Sequence, residues 1–226
     1  MNCKTFILAL TLLSPLCLFA DEKSAEFDAD NGEDINELCA GCHGEFAQGG
    51  SDGEYPRLAG MPAAFIIRQM HLFRDRIRTN LAMVEYVDHR QMPDQDIIDV
   101  AHFISGIELP TRLPPLVEGV PFDALERLNL TRKLLNIPRL EGNSSAGLQS
   151  YNKECRSCHG DAGKGNHEKG VPLLAGQHTS YLQRTIEKYR NKQRIHDPEA
   201  PDENYFQSFT SEELNDIFAY LSIADD

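Results

Sequence analysis

Apolar residues recur at intervals of three, four and seven along six stretches of this chain, and the six fall into two series of three. Ile35, Leu38 and Cys42 mark the first stretch, Ile66, Met70, Phe73 and Ile77 the second, and Ile97, Val100, Ala101 and Ile104 the third. The second series runs Leu148, Tyr151, Cys155 and Cys158, then Leu182, Ile186 and Tyr189, then Leu214, Ile217, Phe218 and Leu221. Such spacing puts one apolar stripe along each of six helices. The last stretch of each series opens after Pro93-Asp94 or Thr210-Ser211, with acidic residues where the helix dipole favours them. No sustained alternation of apolar and polar residues suggests a strand, so the sequence predicts an all-α protein.

Sliding the chain against itself by 116 residues lays Cys39-Ala40-Gly41-Cys42-His43-Gly44 on Cys155-Arg156-Ser157-Cys158-His159-Gly160 without a gap. In the same register Pro56-Arg57-Leu58-Ala59-Gly60 falls on Pro172-Leu173-Leu174-Ala175-Gly176, and Arg68, Phe73, Arg74 and Arg78 fall on Arg184, Tyr189, Arg190 and Arg194. The chain is therefore expected to be one unit written twice. Pro110, Pro114, Pro115 and Pro121 interrupt it between the copies, and a helical stretch from about Phe122 to Asn136 leads to Pro138. These features predict a leader at 1–20, a first domain at 21–109, a linker with one helix at 110–143 and a second domain at 144–226.

The leader begins with Lys4, continues through the apolar run Phe6 to Phe19 and stops at Ala20 before Asp21, the pattern of a secretory signal cleaved after Ala20. Export to the periplasm is expected. Ser14-Pro15-Leu16-Cys17 lacks the small-residue box that lipidation needs, and no other apolar run is long enough to span a membrane. Cleavage removes one of 22 basic residues and none of the 35 acidic ones, leaving a net charge of about −14. Nucleic acid and anionic membranes are poor partners for such a chain. A redox protein with a basic patch is a good one, met in fast, salt-sensitive encounters.

Six cysteines in an exported protein would ordinarily suggest disulfides, but Cys3 and Cys17 leave with the leader. The other four form two Cys-x-x-Cys-His motifs. Thiols one helical turn apart can add to the two vinyl groups of a haem, and the adjacent histidine then faces the iron. A redox dithiol or a zinc site could use the same cysteines. Two motifs, each inside its own three-helix repeat, favour two covalently bound haem c groups, attached at Cys39/Cys42 and Cys155/Cys158. A porphyrin would also complete the core of domains this small. His43 and His159 are the expected proximal ligands, each bound through Nε2 with Nδ1–H held by an acceptor, most simply a backbone carbonyl.

The sixth positions differ between the copies. Met70 lies on the inner face of the second helix, Met92 packs before the last helix and Met61 follows the Ala-Gly turn too early, leaving Met83 in the irregular segment between helices as the candidate of copy one. Copy two has no methionine, and His196 is its candidate, with a solvated loop histidine as the alternative. His71, His89 and His102 suit the surface or helix packing. A histidine ligand lowers the reduction potential relative to methionine, so the two haems would be unequal.

With Cys-x-x-Cys-His-Gly, Pro-x-Leu-Ala-Gly, a Phe/Tyr-Arg step and a closing helix in each half, the chain resembles the cytochrome c4 family, most closely at "YPRLAGMPAAFIIRQMHLFRDRIRTN" and "VPLLAGQHTSYLQRTIEKYRNKQR". The resemblance implies tandem class I cytochrome c domains about a pseudo-twofold axis, periplasmic electron transfer and His/Met ligation of both haems. It further implies that the carbonyls of Pro56 and Pro172 accept the protons of the proximal histidines, that Met83 is a ligand and that His178 is structural. Copy two departs from the family where a methionine would stand, around Glu199 or Ala200. The expected function is electron transfer from a periplasmic dehydrogenase or quinol-oxidising complex to a terminal oxidase or reductase. The rivals are a haem enzyme acting on a small molecule at an open second iron, and a subunit of a larger oxidoreductase docked through the linker helix.

Overall fold

The computed structural model describes residues 27–50, 52–88, 90–196 and 204–224; the leader, its cleavage point, His89 and the stretch around Glu199 and Ala200 lie outside them. Nine α-helices are found among the described residues: α1 (Ala29–His43), α2 (Ala63–Arg74), α3 (Leu81–Tyr86), α4 (Asp94–Ser105), α5 (Ala124–Arg132), α6 (Ser144–Glu154), α7 (Arg156–His159), α8 (Thr179–Arg190) and α9 (Ser211–Leu221). The only extended pairing there is a single bridge between Asn166 and Val171. The repeat governs the backbone: α2 moved by 116 residues gives the bounds of α8, and α4 and α9 end in the same register.

Each domain is built on one helix crossing, α1 on α4 and α6 on α9. The helices approach so closely that a glycine sits at each crossing. A Cβ on Gly32 would stand 2.5 Å from the Asp99 carbonyl oxygen, and one on Gly147 1.9 Å from that of Asp216. Around the first crossing Ile35, Ile66, Met70, Phe73, Ile97, Val100 and Ile104 form the core. Around the second, Tyr151, Leu182, Leu214, Ile217, Phe218 and Leu221 do the same. Asp99 ties α1 to α4, its carboxylate accepting from the Asp28 amide (3.0 Å), Asn31 Nδ2 (2.8 Å) and Gln95 Nε2 (2.7 Å). Thr210 and Glu213 form a reciprocal capping box on α9.

Several elements differ from the periodicity. Leu38 fits the spacing of the α1 stripe but is 68% exposed, because Ile35, Asn36 and His43 hold the buried face instead. Ile77 lies past the end of α2 and is exposed. The segment expected to be irregular contains α3, anchored by buried Val84 and Val87. The linker helix is shorter than its pattern: Asp123 caps it, its side chain accepting from the amides of Leu125 and Glu126, and Lys133 ends it with no residue buried.

The two domains meet through a reciprocal interface. Arg68 donates to the Gly170 carbonyl (3.1 Å), while its repeat counterpart Arg184 donates to the carbonyls of Gly53 and Glu54 (3.0 Å to Glu54). Gln177 closes a ring with Arg57, accepting from its amide at 3.0 Å and donating to its carbonyl at 2.9 Å. His178 Nε2 donates to the Gln48 carbonyl at 3.0 Å, so this histidine is an interface residue. Leu173 of the second domain inserts into the core of the first. Interfaces in which each half lends the other the same contact are what an internal twofold requires.

Candidate functional site: two cysteine–histidine centres

α1 and α7 each end on the histidine of a Cys-x-x-Cys-His motif, and in both copies the backbone turns away at a glycine of positive φ, Gly44 (+82°) and Gly160 (+74°). The turn returns the chain so that His43 Nδ1 lies 2.9 Å from the Pro56 carbonyl and His159 Nδ1 2.9 Å from that of Pro172. A carbonyl only accepts, so the proton is on Nδ1 and Nε2 keeps a free lone pair. Burial holds both imidazoles below their usual pKa despite those bonds, and Arg78 lowers His43 further. Both are therefore neutral at pH 7, the form that ligates a metal.

Cys39, Cys42, Cys155 and Cys158 form no disulfide. Burial pushes the thiols of Cys39 and Cys155 up to about 11, Cys42 adding to the first and Glu154 to the second. A redox dithiol needs the opposite shift, toward thiolate at neutral pH. Among the described residues no three histidine, cysteine or acidic side chains gather to hold a metal ion, so the zinc alternative lacks a ligand set there.

Opposite His159 stands His196, with ring centroids 6.0 Å apart and the rings inclined by 35°. Two metal–imidazole bonds of about 2 Å each, plus the span from each nitrogen to its ring centre, come to about 6 Å. A separation of 6.0 Å leaves room for one metal between the two rings, and His196 stands exposed outside any helix. His196 is walled by Tyr189 (5.3 Å, edge-on), Phe206 (5.0 Å, edge-on) and Tyr205 (5.8 Å, stacked within 8°). In the first domain Met61, Met70 and Met92 are buried in the core, whereas Met83 lies half-buried on α3 and packs against that core from its edge.

Where the domains meet, Arg78 and Arg194 share two acceptors. Arg78 donates to Gln69 Oε1 (2.8 Å) and the Tyr181 hydroxyl (3.2 Å), and Arg194 donates to the same hydroxyl (3.3 Å) and the same Oε1 (3.2 Å). Burial and the neighbouring Arg194 lower the Arg78 guanidinium to about 10. Burial alone would raise the Tyr181 phenol, but the two cations and their hydrogen bonds bring it down to about 7. Arg194 is buried, its Nε has no hydrogen-bond partner, and among the described residues neither guanidinium has a carboxylate partner. Two cations pressed together with no carboxylate beside them suit the carboxylate groups of a porphyrin. Sequence reasoning used these arginines only as register marks, although each stands 35 residues after its proximal histidine. The aromatic wall of His196 went unnoticed too, its one trace being Tyr205, Phe206 and Phe209 close together in the chain.

The cytochrome c profile matches residues 29–108 and again 144–224. The chain belongs to the cytochrome c family. Among its relatives, cytochrome c4 of Pseudomonas aeruginosa is 29% identical over 199 residues, 86% of each chain. A thiosulfate dehydrogenase electron acceptor of Thiomonas intermedia is 27% identical over 160 residues, 71% of this chain and 66% of its own. The fold matches reduced cytochrome c4 from Pseudomonas stutzeri (TM-score 0.63, 18% identity, 87% of this chain and 98% of that one). It also matches 40% of a thiosulfate dehydrogenase from Marichromatium purpuratum over 87% of this chain, with TM-score 0.63 and 21% identity. This cytochrome is thus a c4-like diheme electron-transfer protein, with one covalently bound haem c for each Cys-x-x-Cys-His motif.

Proposed function

We propose that the protein is a periplasmic electron carrier in which His43 and Met83 ligate the first iron and His159 and His196 the second. It takes electrons from a dehydrogenase or quinol-oxidising complex and delivers them to a terminal oxidase or reductase. The observation that carries this reading is the 6.0 Å separation of the His159 and His196 rings. A second histidine at that spacing fills the position a small substrate would need, which favours a carrier over an enzyme. Bound haem supplies reversible one-electron iron chemistry; the rest is the work of the chain. Pro56 and Pro172 hold the proximal tautomers, the aromatic residues around His196 would fix its ring, and Arg78 with Arg194 would neutralise haem carboxylates. Relatives named as electron acceptors of thiosulfate dehydrogenase favour a dehydrogenase as the electron source. No described helix is long and apolar enough to cross a membrane, which agrees with a carrier released by cleavage of the leader after Ala20.

Low-temperature spin resonance of the oxidised protein tests the ligand set. Two low-spin ferric signals are expected, one of them bis-histidine and lost in a His196→Ala variant. A high-spin ferric signal in the native protein, abolished by His159→Ala, would instead mark an open second iron and the enzyme reading.

A further inference from the structure

The repeat allows the two haem-bearing helices to be compared position by position, and their outward faces do not match. α1 presents Asp30, Glu33, Asp34 and Glu37, all exposed, on the turns leading to Cys39 and Cys42. The counterparts on α6, at the 116-residue offset, are Ala146, Gln149, Ser150 and Lys153. Four negative charges in the first domain thus correspond to one positive charge in the second, and that lysine is neutralised by its ion pair with Glu154.

The centre of each face differs in the same sense. Leu38, 68% exposed, adjoins Cys39 and lies one helical turn before the exposed Cys42, and its counterpart is Glu154. An apolar centre within a charged rim is the anatomy of a protein–protein contact. Position 38 points away from the buried face of α1, where a polar residue would be the ordinary choice, yet it carries a leucine. Beside the ridge, Glu33, Glu37, Glu45 and Glu108 line a cleft of about 440 Å³ that also includes buried Asn36. Asn36 Nδ2 donates to the Glu45 carbonyl, whereas its Oδ1 has no partner.

We propose that the α1 face of the first domain, centred on Leu38 and Cys42 and rimmed by Asp30, Glu33, Asp34 and Glu37, is the docking surface for a redox protein with a basic patch around its own cofactor edge. The inference deepens the electron-carrier reading and rests on it. Electrons exchanged with such a partner pass through the first haem, and the matching face of the second domain serves no basic partner. Each exchange moves one electron, from ferrous iron in this chain to ferric iron in the partner, with no bond made and no proton moved.

The test uses the full diheme protein, reduced, mixed in stopped flow with an oxidised, strongly basic monohaem cytochrome c. Reversing three charges together (Glu33→Lys, Asp34→Lys, Glu37→Lys) should slow the reaction at low salt at least about tenfold and flatten its salt dependence. Lys153→Glu with Arg156→Glu should change it by less than about twofold. Leu38→Glu, which copies the second domain, separates docking from bulk charge. It adds a negative charge that a long-range attraction would turn into a faster reaction, whereas loss of the apolar centre should slow it about threefold at high salt. Equal sensitivity of the two faces, or an accelerated Leu38→Glu variant, would overturn the proposal while leaving the carrier intact. If the native protein exchanges no electrons with the probe at any salt, the carrier reading itself is what fails.

Discussion

The crossing of α6 and α9 places a quantitative demand on one atom. A methyl group at Gly147 would lie 1.9 Å from the Asp216 carbonyl oxygen, against an ordinary contact beginning at 3.4 Å, so the helices must part by about 1.5 Å there. The obstacle is backbone, which cannot swing aside as a side chain would. Overpacking of a tight core costs about 1–3 kcal/mol, and the upper end applies because Tyr151, Leu214, Ile217 and Phe218 would separate along with the helices. Alanine offers a helix about 0.5–1 kcal/mol over glycine in return. Gly147→Ala is therefore expected to destabilise the second domain by about 2 kcal/mol, which lowers the melting midpoint of a domain this size by roughly 10 °C. Gly32→Ala, with 2.5 Å to the Asp99 carbonyl, should show a smaller loss in the first domain. Gly41→Ala meets nothing within 4 Å and should be neutral or slightly stabilising. The assay is thermal melting of the haem-loaded protein followed by circular dichroism. A Gly147→Ala variant that melted like the parent would refute the idea that helix contact, and not haem alone, sets the architecture of each domain.

Two further outcomes are expected. Met83→Ala should abolish the long-wavelength absorption band of methionine-bound ferric haem, whereas Met70→Ala should keep the band and lose about 2–5 kcal/mol of stability as a core truncation; a band that survives Met83→Ala removes that residue from the iron. Asp99→Asn should destabilise the first domain by roughly 2 kcal/mol, since three donors lose a carboxylate acceptor. Burial would raise the Asp99 pKa, but the bonds from Asn31, Asp28 and Gln95 hold it below the usual carboxylate value. Its contribution is then present above about pH 4 and lost as pH falls through the lowered value, so melting curves of parent and variant should converge in acid.

Much of this was legible because the chain is written twice. Periodicity located α2, α4, α8 and α9 since their apolar stripes face a core made by their own neighbours. The Cys-x-x-Cys-His motifs were legible because covalent attachment demands those residue types at that spacing, whereas the Pro56 and Pro172 acceptors followed only from the family resemblance, since a backbone carbonyl leaves no side-chain signal. Periodicity failed at Leu38, which fits the spacing but lies off the face held by Ile35, Asn36 and His43, and where a helix is too short to show a period, as in α3. The Arg78–Tyr181–Arg194 cluster could not be read from one copy, because its members belong to different domains and Tyr181 corresponds to Phe65.

The two copies diverge selectively. Residues that hold a proximal histidine, cap a motif or bind one domain to the other keep their register: Gly44 with Gly160, Pro56 with Pro172, Arg68 with Arg184, Arg78 with Arg194. The changes fall on the outer side of the haem-bearing helix and on the element facing the iron, where Met83 has no methionine counterpart and His196 takes the second iron in the proposed ligand set. In the proposed ligand set, with methionine on the first iron and histidine on the second, an electron shared within the molecule would rest on the first haem, whose attachment cysteines Cys39 and Cys42 stand on the helix that bears the acidic face. Potential and charge would then be biased toward the same domain, as the proposed discharge to a basic partner requires.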